Sequence, residues 1–283
     1  MKKLETIFIV LLLVCGLGIV LYPATSNYWN EIHQSRSFVE YEEEIRIMDK
    51  TKYREMWETA ERYNELLFRS KCGEDVSKSN MPKYMETLMV TEDGMMGHLI
   101  IPKIECDIPV YHGTDAIILQ KGAGHIETTS LPVGGINTNC VISGHTGLHS
   151  AKLFTDLEKM EEGDLFYLVV LGETLSYEVD QIVVVLPSDT TPLDIIPGED
   201  HCSLLTCTPY GINSHRLIVR GSRIETTEEM KEVVRKTEEK VIRYEKTFKM
   251  QIIFAVAGVI LTILNVYLLA FFKKRKKQET KER

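Results

Sequence analysis

Residues 203–216 place a cysteine and an arginine at a spacing that could support nucleophilic chemistry. Ser203–Thr206 is a short apolar run with strand character, and the turn signal Thr208–Gly211 ends it. Cys207 therefore lies at a predicted strand end, where its thiol can face a cleft. Strand character resumes at Arg216, so a return strand would bring the guanidinium beside the sulfur. A fixed cation there favours thiolate and can stabilise an oxyanion.

A cysteine nucleophile also needs a proton-transfer partner, and His145 is the best candidate. It follows the apolar pair Val141–Ile142 in a segment bounded by glycines, again at a predicted strand end. Taken alone, Cys207 could equally be a small apolar residue in a core strand. Three chemically matched groups at three predicted strand ends instead indicate a thiol active site.

No His, Cys or Asp spacing predicts a zinc site, and the acidic calcium-loop pattern is absent, so we expect neither a metal nor a cofactor.

Among the other histidines, His149 is a weaker alternative base. Two more fit structural roles better: His125 and His215. Of the six cysteines, Cys15 lies in an apolar segment and Cys72 in a polar one. Three lie in strand-like contexts and are expected in the core: Cys106, Cys140 and Cys202.

The wider pattern resembles the sortases, the membrane-bound transpeptidases of Gram-positive surfaces. The resemblance rests on Leu-x-Thr-Cys ending at Cys207, followed nine residues later by Arg216, and on the upstream Gly-His-Thr-Gly around His145. Further segments are similar to class C, pilus-polymerising sortases: 96–104, 109–114, 121–125, 129–135 and 151–157. The resemblance covers residues 95–225 densely.

This resemblance implies a mainly β fold, a nominally eight-stranded barrel with N-terminal helices, flanked by two transmembrane helices. It also implies that Cys207 attacks the Thr carbonyl of a Leu-Pro-x-Thr-Gly-like sorting signal in pilin or surface proteins. His145 would protonate the leaving amine, and Arg216 would stabilise the oxyanion or hold the substrate backbone. By the class C resemblance, the acceptor is a pilin lysine and the product is an isopeptide bond.

Three alternatives stay open from the sequence. A housekeeping sortase would use a cell-wall precursor amine as acceptor. A cysteine peptidase would hand the acyl group to water. A non-enzymatic, membrane-tethered assembly scaffold would keep Cys207 in its core.

Two parts of the chain are candidates for contact with the substrate. Pro187–Asp200 is a long connection before the Cys207 strand, and its Leu193, Ile195 and Ile196 could line an apolar groove. The same three side chains could instead plug the barrel. Thr206, beside the nucleophile, is a candidate for orienting the substrate.

The charge of the chain is unevenly distributed around a formal net value of −8. Residues 273–283 hold seven basic and two acidic residues, whereas the long central region is strongly acidic. An acidic central domain argues against nucleic acid as a partner.

Two apolar segments predict a membrane protein. Residues 7–21 follow a short basic start, as in a signal peptide or a short signal anchor. Residues 250–272 carry no charge and precede a basic stop, which predicts a membrane-spanning helix with a cytoplasmic tail. If both are anchors, as in class C sortases, both termini are cytoplasmic and the catalytic domain is extracellular.

We therefore divide the chain into six parts: a cytoplasmic start with a membrane segment (1–24), an extracellular helical region with a lid-like loop (25–95), a catalytic barrel (96–225), a linking helix (226–249), a membrane span (250–272) and a basic tail (273–283).

Within 24–72 we expect two helices, broken near Asp49. Gly172-Glu173 predicts a two-residue hairpin. Thr226 and Glu229 predict a capping box. Short helices are expected at Asp115–Gln120 and Ser150–Met160.

The segment between the second helix and the barrel departs from class C sortases, most of which carry an Asp-Pro-aromatic motif in a lid at this position. No Asp-Pro pair occurs between Phe68 and Met96. We therefore expect a segment held by few contacts. Tyr84 is the first candidate for closing the site instead.

Overall fold

A computed structural model of the chain describes residues 33–147 and 152–243 continuously, with isolated positions elsewhere. The predicted membrane segments 7–21 and 250–272 lie outside these continuous ranges. None of the helices in the described residues combines the length and the apolar composition that a bilayer span requires. The chain divides into two compact units, Met1–Thr237 and Glu238–Arg283, and the barrel lies in the first.

Within the described ranges, eight strands close into a barrel in the order β1-β2-β3-β4-β7-β8-β6-β5. Their bounds are Met95–Ile101, Cys106–His112, Ala123–His125, Thr138–Ser143, Leu165–Val170, Glu173–Val185, Asp200–Thr208 and His215–Ile224, for β1 to β8. The pairs β2–β3 and β4–β7 are parallel, and the other pairs are antiparallel. The prediction of an eight-stranded barrel is confirmed.

The barrel interior is filled by aromatic and aliphatic side chains. Phe166 and Tyr177 stack with their ring centroids 5.4 Å apart. A Cβ atom added at Gly221 would lie 2.5 Å from the Phe166 ring, so β8 can cross this stack only with a glycine at that position. The tight interior therefore fixes which face of each strand points outward.

Two helices precede the barrel in the chain and are hydrogen-bonded to it. Helix α1 is described over residues 33–47, and α2 spans Lys50–Lys71, so the break near Asp49 is confirmed. On α2, Tyr63 donates to the carbonyl of Glu127 at 2.9 Å. Asn64 bonds the backbone of Leu131 in both directions, donating to its carbonyl at 3.1 Å and accepting from its N–H at 2.6 Å.

Several local predictions need correction. The apolar character of Leu99–Ile104 predicts strand throughout, but β1 ends at Ile101, because Pro102–Ile104 forms a 3₁₀ turn. The hairpin turn is Leu171-Gly172, both at positive φ, rather than Gly172-Glu173. Strand β3 was not predicted, because it is only three residues long and contains Gly124.

The short helices and the helix cap were predicted with mixed success. Helix α3 at Ala116–Lys121 confirms the first short helix. In the described part of Ser150–Met160, the chain forms turns and the 3₁₀ helix Leu157–Lys159 instead of an α-helix. Helix α4 covers residues 228–243, and Thr227 rather than Thr226 caps it, since its Oγ1 accepts from the N–H of Met230 at 3.3 Å.

The segment between α2 and β1 is anchored through Tyr84. Its ring is buried and stacks on His125, with the centroids 5.6 Å apart. Its hydroxyl accepts from the N–H of Gly113 at 2.9 Å and lies 3.0 Å from Nδ1 of His125. Because Nε2 of His125 lies 2.8 Å from the carbonyl of Ser130, Nε2 carries the proton and Nδ1 accepts from Tyr84.

The expectation of a loosely held segment is therefore wrong for its second half. Thr87 and Leu88 are buried there along with Tyr84. Tyr84 is an anchor in the barrel wall rather than a free lid residue. In the first half, residues 72–77 are exposed except Val76.

The Tyr84–His125 contact generates a prediction about pH. Burial lowers the pKa of His125 from 6.5 to about 4, because the imidazolium loses its hydration. The contribution to stability from neutral His125 is fully present above pH 6.5 and is lost as the pH falls from 6.5 toward 4, by up to about 3 kcal/mol. We expect His125→Gln to lose less free energy of unfolding than the wild type as the pH falls.

The measurement is the free energy of unfolding in urea at pH 7 and pH 4.5. His215→Gln is the control, because His215 lies at the start of β8 and, among the described residues, its side chain hydrogen-bonds only the hydroxyl of Ser214. Burial also lowers the pKa of His201. The difference in the free energy of unfolding between pH 7 and pH 4.5 should therefore become smaller in His125→Gln but should not disappear. The same difference between the two pH values in His125→Gln as in the wild type would contradict this role of His125.

Candidate active site

Cys207 is the penultimate residue of strand β7, so it lies inside the strand rather than just beyond it. Side chains alternate between the two faces of a strand. Cys202 and Leu204 belong to the barrel core, which places Cys207 on the outer face. The Cys207 side chain is half-buried there. A short apolar strand thus presents one thiol outward.

Arg216 lies directly opposite Cys207 in the antiparallel register of β7 and β8. Its neighbour Leu217 is in the core, so Arg216 shares the outer face with Cys207. Side chains directly opposite each other on one face have Cβ atoms about 5 Å apart. The predicted return strand therefore brings the guanidinium and the thiol together.

The guanidinium of Arg216 is only partly used by the protein. Nη1 donates to the carbonyl of Asn213 at 3.3 Å and to that of His215 at 3.1 Å. Within the described residues, Nε and Nη2 make no hydrogen bond. Arg216 is thus oriented by its own loop and keeps donors available on the outer face.

His145 is positioned by the parallel pairing of β4 with β7. Ser143 pairs with Leu205, and the ladder continues for one residue because the N–H of Gly144 donates to the carbonyl of Leu205 at 3.1 Å. The carbonyl of His145 accepts from the N–H of Phe154 at 3.1 Å. His145 therefore emerges at the same end of the barrel as Cys207.

Glycine is required at position 144. A Cβ atom there would lie 2.7 Å from the buried ring of Phe154. A second close approach follows His145: Gly147 has φ +70°, and a Cβ atom on it would lie 2.9 Å from the ring of Tyr210. The β7–β8 loop thus contacts the segment after His145. Sequence reasoning noted these glycines only as boundaries and missed the contact with Tyr210.

Thr206 does not have the predicted orientation. It lies on the inner face of β7, is 4% exposed, and its hydroxyl donates to the carbonyl of Gly144 at 2.7 Å. Because Cys207 points outward, the preceding side chain of Thr206 points inward, away from the face that bears the thiol. Its hydroxyl instead holds the residue that precedes His145.

The apolar residues predicted to line a groove lie in the β6–β7 connection, which we define as residues 186–199. Leu193 ends a 3₁₀ turn, Thr191–Leu193, and Ile195 and Ile196 follow it. All three are half-buried. None is among the described apolar residues that pack against the main core. This placement favours a groove wall over a plug in the barrel.

The other cysteines within the barrel differ from Cys207. As predicted, Cys106, Cys140 and Cys202 are buried, while Cys72 is exposed. Burial raises the pKa of the Cys106 thiol, and it also raises that of Cys140, with a further contribution from Cys202. In the described barrel, Cys207 is the one thiol that is not buried.

These residues form the elements of a thiol active site: an outward-facing cysteine, an arginine opposite it in register, and a histidine emerging from the adjacent parallel strand. Such a set can support attack on a carbonyl, stabilisation of the resulting oxyanion and proton transfer to a leaving amine. The fold and the site thus define a candidate cysteine-dependent acyl-transfer enzyme. His125 is buried against Tyr84, and His215 lies at the start of β8, opposite Thr208 and beside Arg216. The weaker alternative base, His149, is outside the described residues.

Comparison with known proteins agrees with this class. The family model of the sortase domain matches residues 99–224 of this chain. The chain is similar to the solved sortase C of Streptococcus pneumoniae, with 44% identity and a TM-score of 0.58 over 68% of this chain and 98% of that chain. It is similar to sortase C of Clostridium perfringens, solved with the C-terminal cell wall sorting motif, with 40% identity and a TM-score of 0.61 over 68% of this chain and 99% of that chain.

A curated relative gives a shorter match. Sortase D of Bacillus subtilis (strain 168) is 31% identical over 131 residues, which are 45% of this chain and 63% of that protein. The chain therefore matches less than two thirds of this relative. The chain belongs to the sortase family of cysteine transpeptidases, and its solved neighbours confirm the class C resemblance.

Proposed function

We propose that this sortase cleaves a sorting signal of pilin subunits and joins the acyl fragment to a pilin lysine. The observation that carries the proposal is the cross-strand pair of Cys207 and Arg216, on the outer face and beside the segment that bears His145. Two solved neighbours support the choice of substrate: the sortase C of Streptococcus pneumoniae was studied for its pilin substrate specificity, and that of Clostridium perfringens was solved with the C-terminal cell wall sorting motif.

The reaction proceeds in two acyl-transfer steps. The sulfur of Cys207 attacks the Thr carbonyl carbon of a Leu-Pro-x-Thr-Gly-like signal, and the N–H donors of Arg216 stabilise the oxyanion of the tetrahedral intermediate. The C–N bond to Gly breaks, and the imidazolium of His145 gives its proton to the departing amine. A thioester to Cys207 is left.

In the second step, neutral His145 takes a proton from the incoming lysine amine. The amine attacks the thioester carbonyl, the thiolate of Cys207 leaves, and an isopeptide bond forms. No oxidant, metal or nucleotide is consumed, because the thioester conserves the free energy of the cleaved peptide bond for the formation of the new amide. The barrel supplies fixed positions for all three groups, which lowers the entropic cost of the reaction.

The cellular arrangement follows from the two apolar segments. In this proposal, residues 7–21 and 250–272 anchor the chain, both termini are cytoplasmic, and the barrel faces the cell exterior, where pilin subunits are joined. The basic residues 273–283 remain inside, in accordance with the positive-inside rule.

The topology predicts the outcome of proteolysis of intact protoplasts. Added protease should remove the barrel while sparing an epitope fused after Arg283, because the membrane shields the tail. Lysed protoplasts serve as the control, in which the epitope should also be lost. Loss of the epitope from intact protoplasts would contradict the topology.

The role of Arg216 predicts that Arg216→Lys lowers kcat/KM by at least about 100-fold, the scale for loss of an oxyanion donor. Lysine keeps the charge but loses the planar array of donors. The assay follows the joining of a sorting-signal peptide to a lysine-bearing pilin fragment by the full-length chain.

Arg220→Lys is the matched control for this experiment. Arg220 lies on the same face of β8 and is held by Asp180 through bonds of 3.0 and 2.8 Å. It should retain near wild-type turnover. If Arg216→Lys turns over as fast as Arg220→Lys, the oxyanion role is wrong. Preference for a cell-wall precursor amine over the pilin fragment would instead indicate a housekeeping sortase, and preference for water a peptidase.

A further inference from the structure

The β6–β7 connection is held to the barrel at few points. Through residues 186–193, its described backbone hydrogen bonds stay within the connection, such as that from the N–H of Leu193 to the carbonyl of Thr190 at 2.9 Å. The first hydrogen bond to the barrel comes from Asn139, whose Nδ2 donates to the carbonyl of Asp194 at 3.3 Å. The next joins the N–H of Gly198 to Oδ1 of Asn137 at 2.7 Å.

Asn139 is fully buried, and each of its polar groups has a partner. Oδ1 accepts from the hydroxyl of Ser203 at 2.9 Å. The backbone N–H donates to Oγ of Ser130 at 3.1 Å, and the backbone carbonyl accepts from the N–H of Ser130 at 3.1 Å. Since the carbonyl of Asp194 can only accept, the amide must present Nδ2 to it. The orientation of Asn139 is thus fixed from three sides.

The contact between Asn139 and Asp194 lies along β7 from the candidate nucleophile Cys207. Cys140 lies in the core, so Asn139 points to the outer face of β4, as Ser203 does on β7. Ser203 precedes Cys207 by four residues, about 13 Å along an extended strand. A peptide extended from the sulfur along β7 would reach the Asn139–Asp194 contact after about four residues, close to the length of Leu-Pro-x-Thr.

We infer that Asn139 is a positioning residue that holds Asp194, and with it Leu193, Ile195 and Ile196, at the distance from β7 that the far end of the sorting signal requires. This inference rests on the proposed function. Without the Asn139 contact, the part of the connection without a hydrogen bond to the barrel would grow from residues 186–193 to residues 186–197. The wall of the groove would then be less ordered, while the Cys207–Arg216 pair would be untouched.

The first test separates substrate binding from chemistry in the full-length chain. Asn139→Ala should raise KM for the sorting-signal peptide about 3- to 10-fold, the range that one hydrogen bond supports, with kcat within about 2-fold of wild type. Ser176→Ala is the matched control, because Ser176 is equally buried and bonds Thr226 Oγ1 at 2.9 Å on another part of the barrel. It should leave KM unchanged.

If Asn139→Ala does not fold, Asn139→Asp replaces it. This variant keeps the volume and the acceptor for Ser203 but opposes an oxygen to the carbonyl of Asp194, so KM should again rise. Loss of kcat without a rise in KM, in whichever variant folds, would overturn the inference.

A second measurement does not depend on turnover. Hydrogen–deuterium exchange of the amides of Leu193 and Asp194 should accelerate at least about 10-fold in Asn139→Ala, while that of Ile218 in β8 stays unchanged, because only the connection is released. Unchanged exchange at Leu193 and Asp194 would also overturn the inference. If wild type does not use the sorting-signal peptide at all, the proposed function fails, and the exchange experiment still decides the role of Asn139.

Discussion

The parallel pairing of β4 with β7 is the constraint on which the site depends. Parallel neighbours end at the same edge of a sheet, so the chain that leaves β4 and the end of β7 emerge together. Two hydrogen bonds hold Gly144 on β7, one to the carbonyl of Leu205 and one from the hydroxyl of Thr206. Each is worth only about 1 kcal/mol of net stability, but together they determine where His145 begins.

Strand register has a second consequence, because it separates reactive from inert thiols on the same two strands. Cys140 and Cys202 are partners in the β4–β7 register and face the core, where burial raises the pKa of Cys140. Cys207 lies on the opposite face. A slip of β7 by one residue would turn Cys207 inward and present Thr206 in its place. The packed interior around Phe166, Tyr177 and Gly221 opposes such a slip.

Turn signals, together with the sortase resemblance, led to the three candidate site residues in the sequence. Cys207, His145 and Arg216 each adjoin a strand with a recognisable end, so local signals placed them at cleft positions. The inward orientation of Thr206 could not be predicted, because it depends on which face of β7 is packed. Asn139 carried no signal either, since its partner Asp194 is 55 residues away in sequence.

The anchored Tyr84 illustrates the same limit. Its neighbourhood in sequence is polar and lacks the Asp-Pro pair, which suggested a loose segment. Hydrogen bonds from Gly113, just after β2, and to Ser130, after β3, fix the Tyr84–His125 pair in place, and these groups meet only in the closed barrel. Long-range pairing therefore decides which loop residues are mobile and which belong to the wall.

The most direct test of the account is the intact mass of the full-length chain after incubation with a sorting-signal peptide and no amine acceptor. We expect an added mass equal to the peptide fragment ending at Thr, located on Cys207 and absent from Cys207→Ala. Cys72 is the internal control, because it is exposed but lies outside the barrel. No adduct on the wild-type chain, or an adduct that Cys207→Ala retains, would contradict the assignment of Cys207 as the nucleophile.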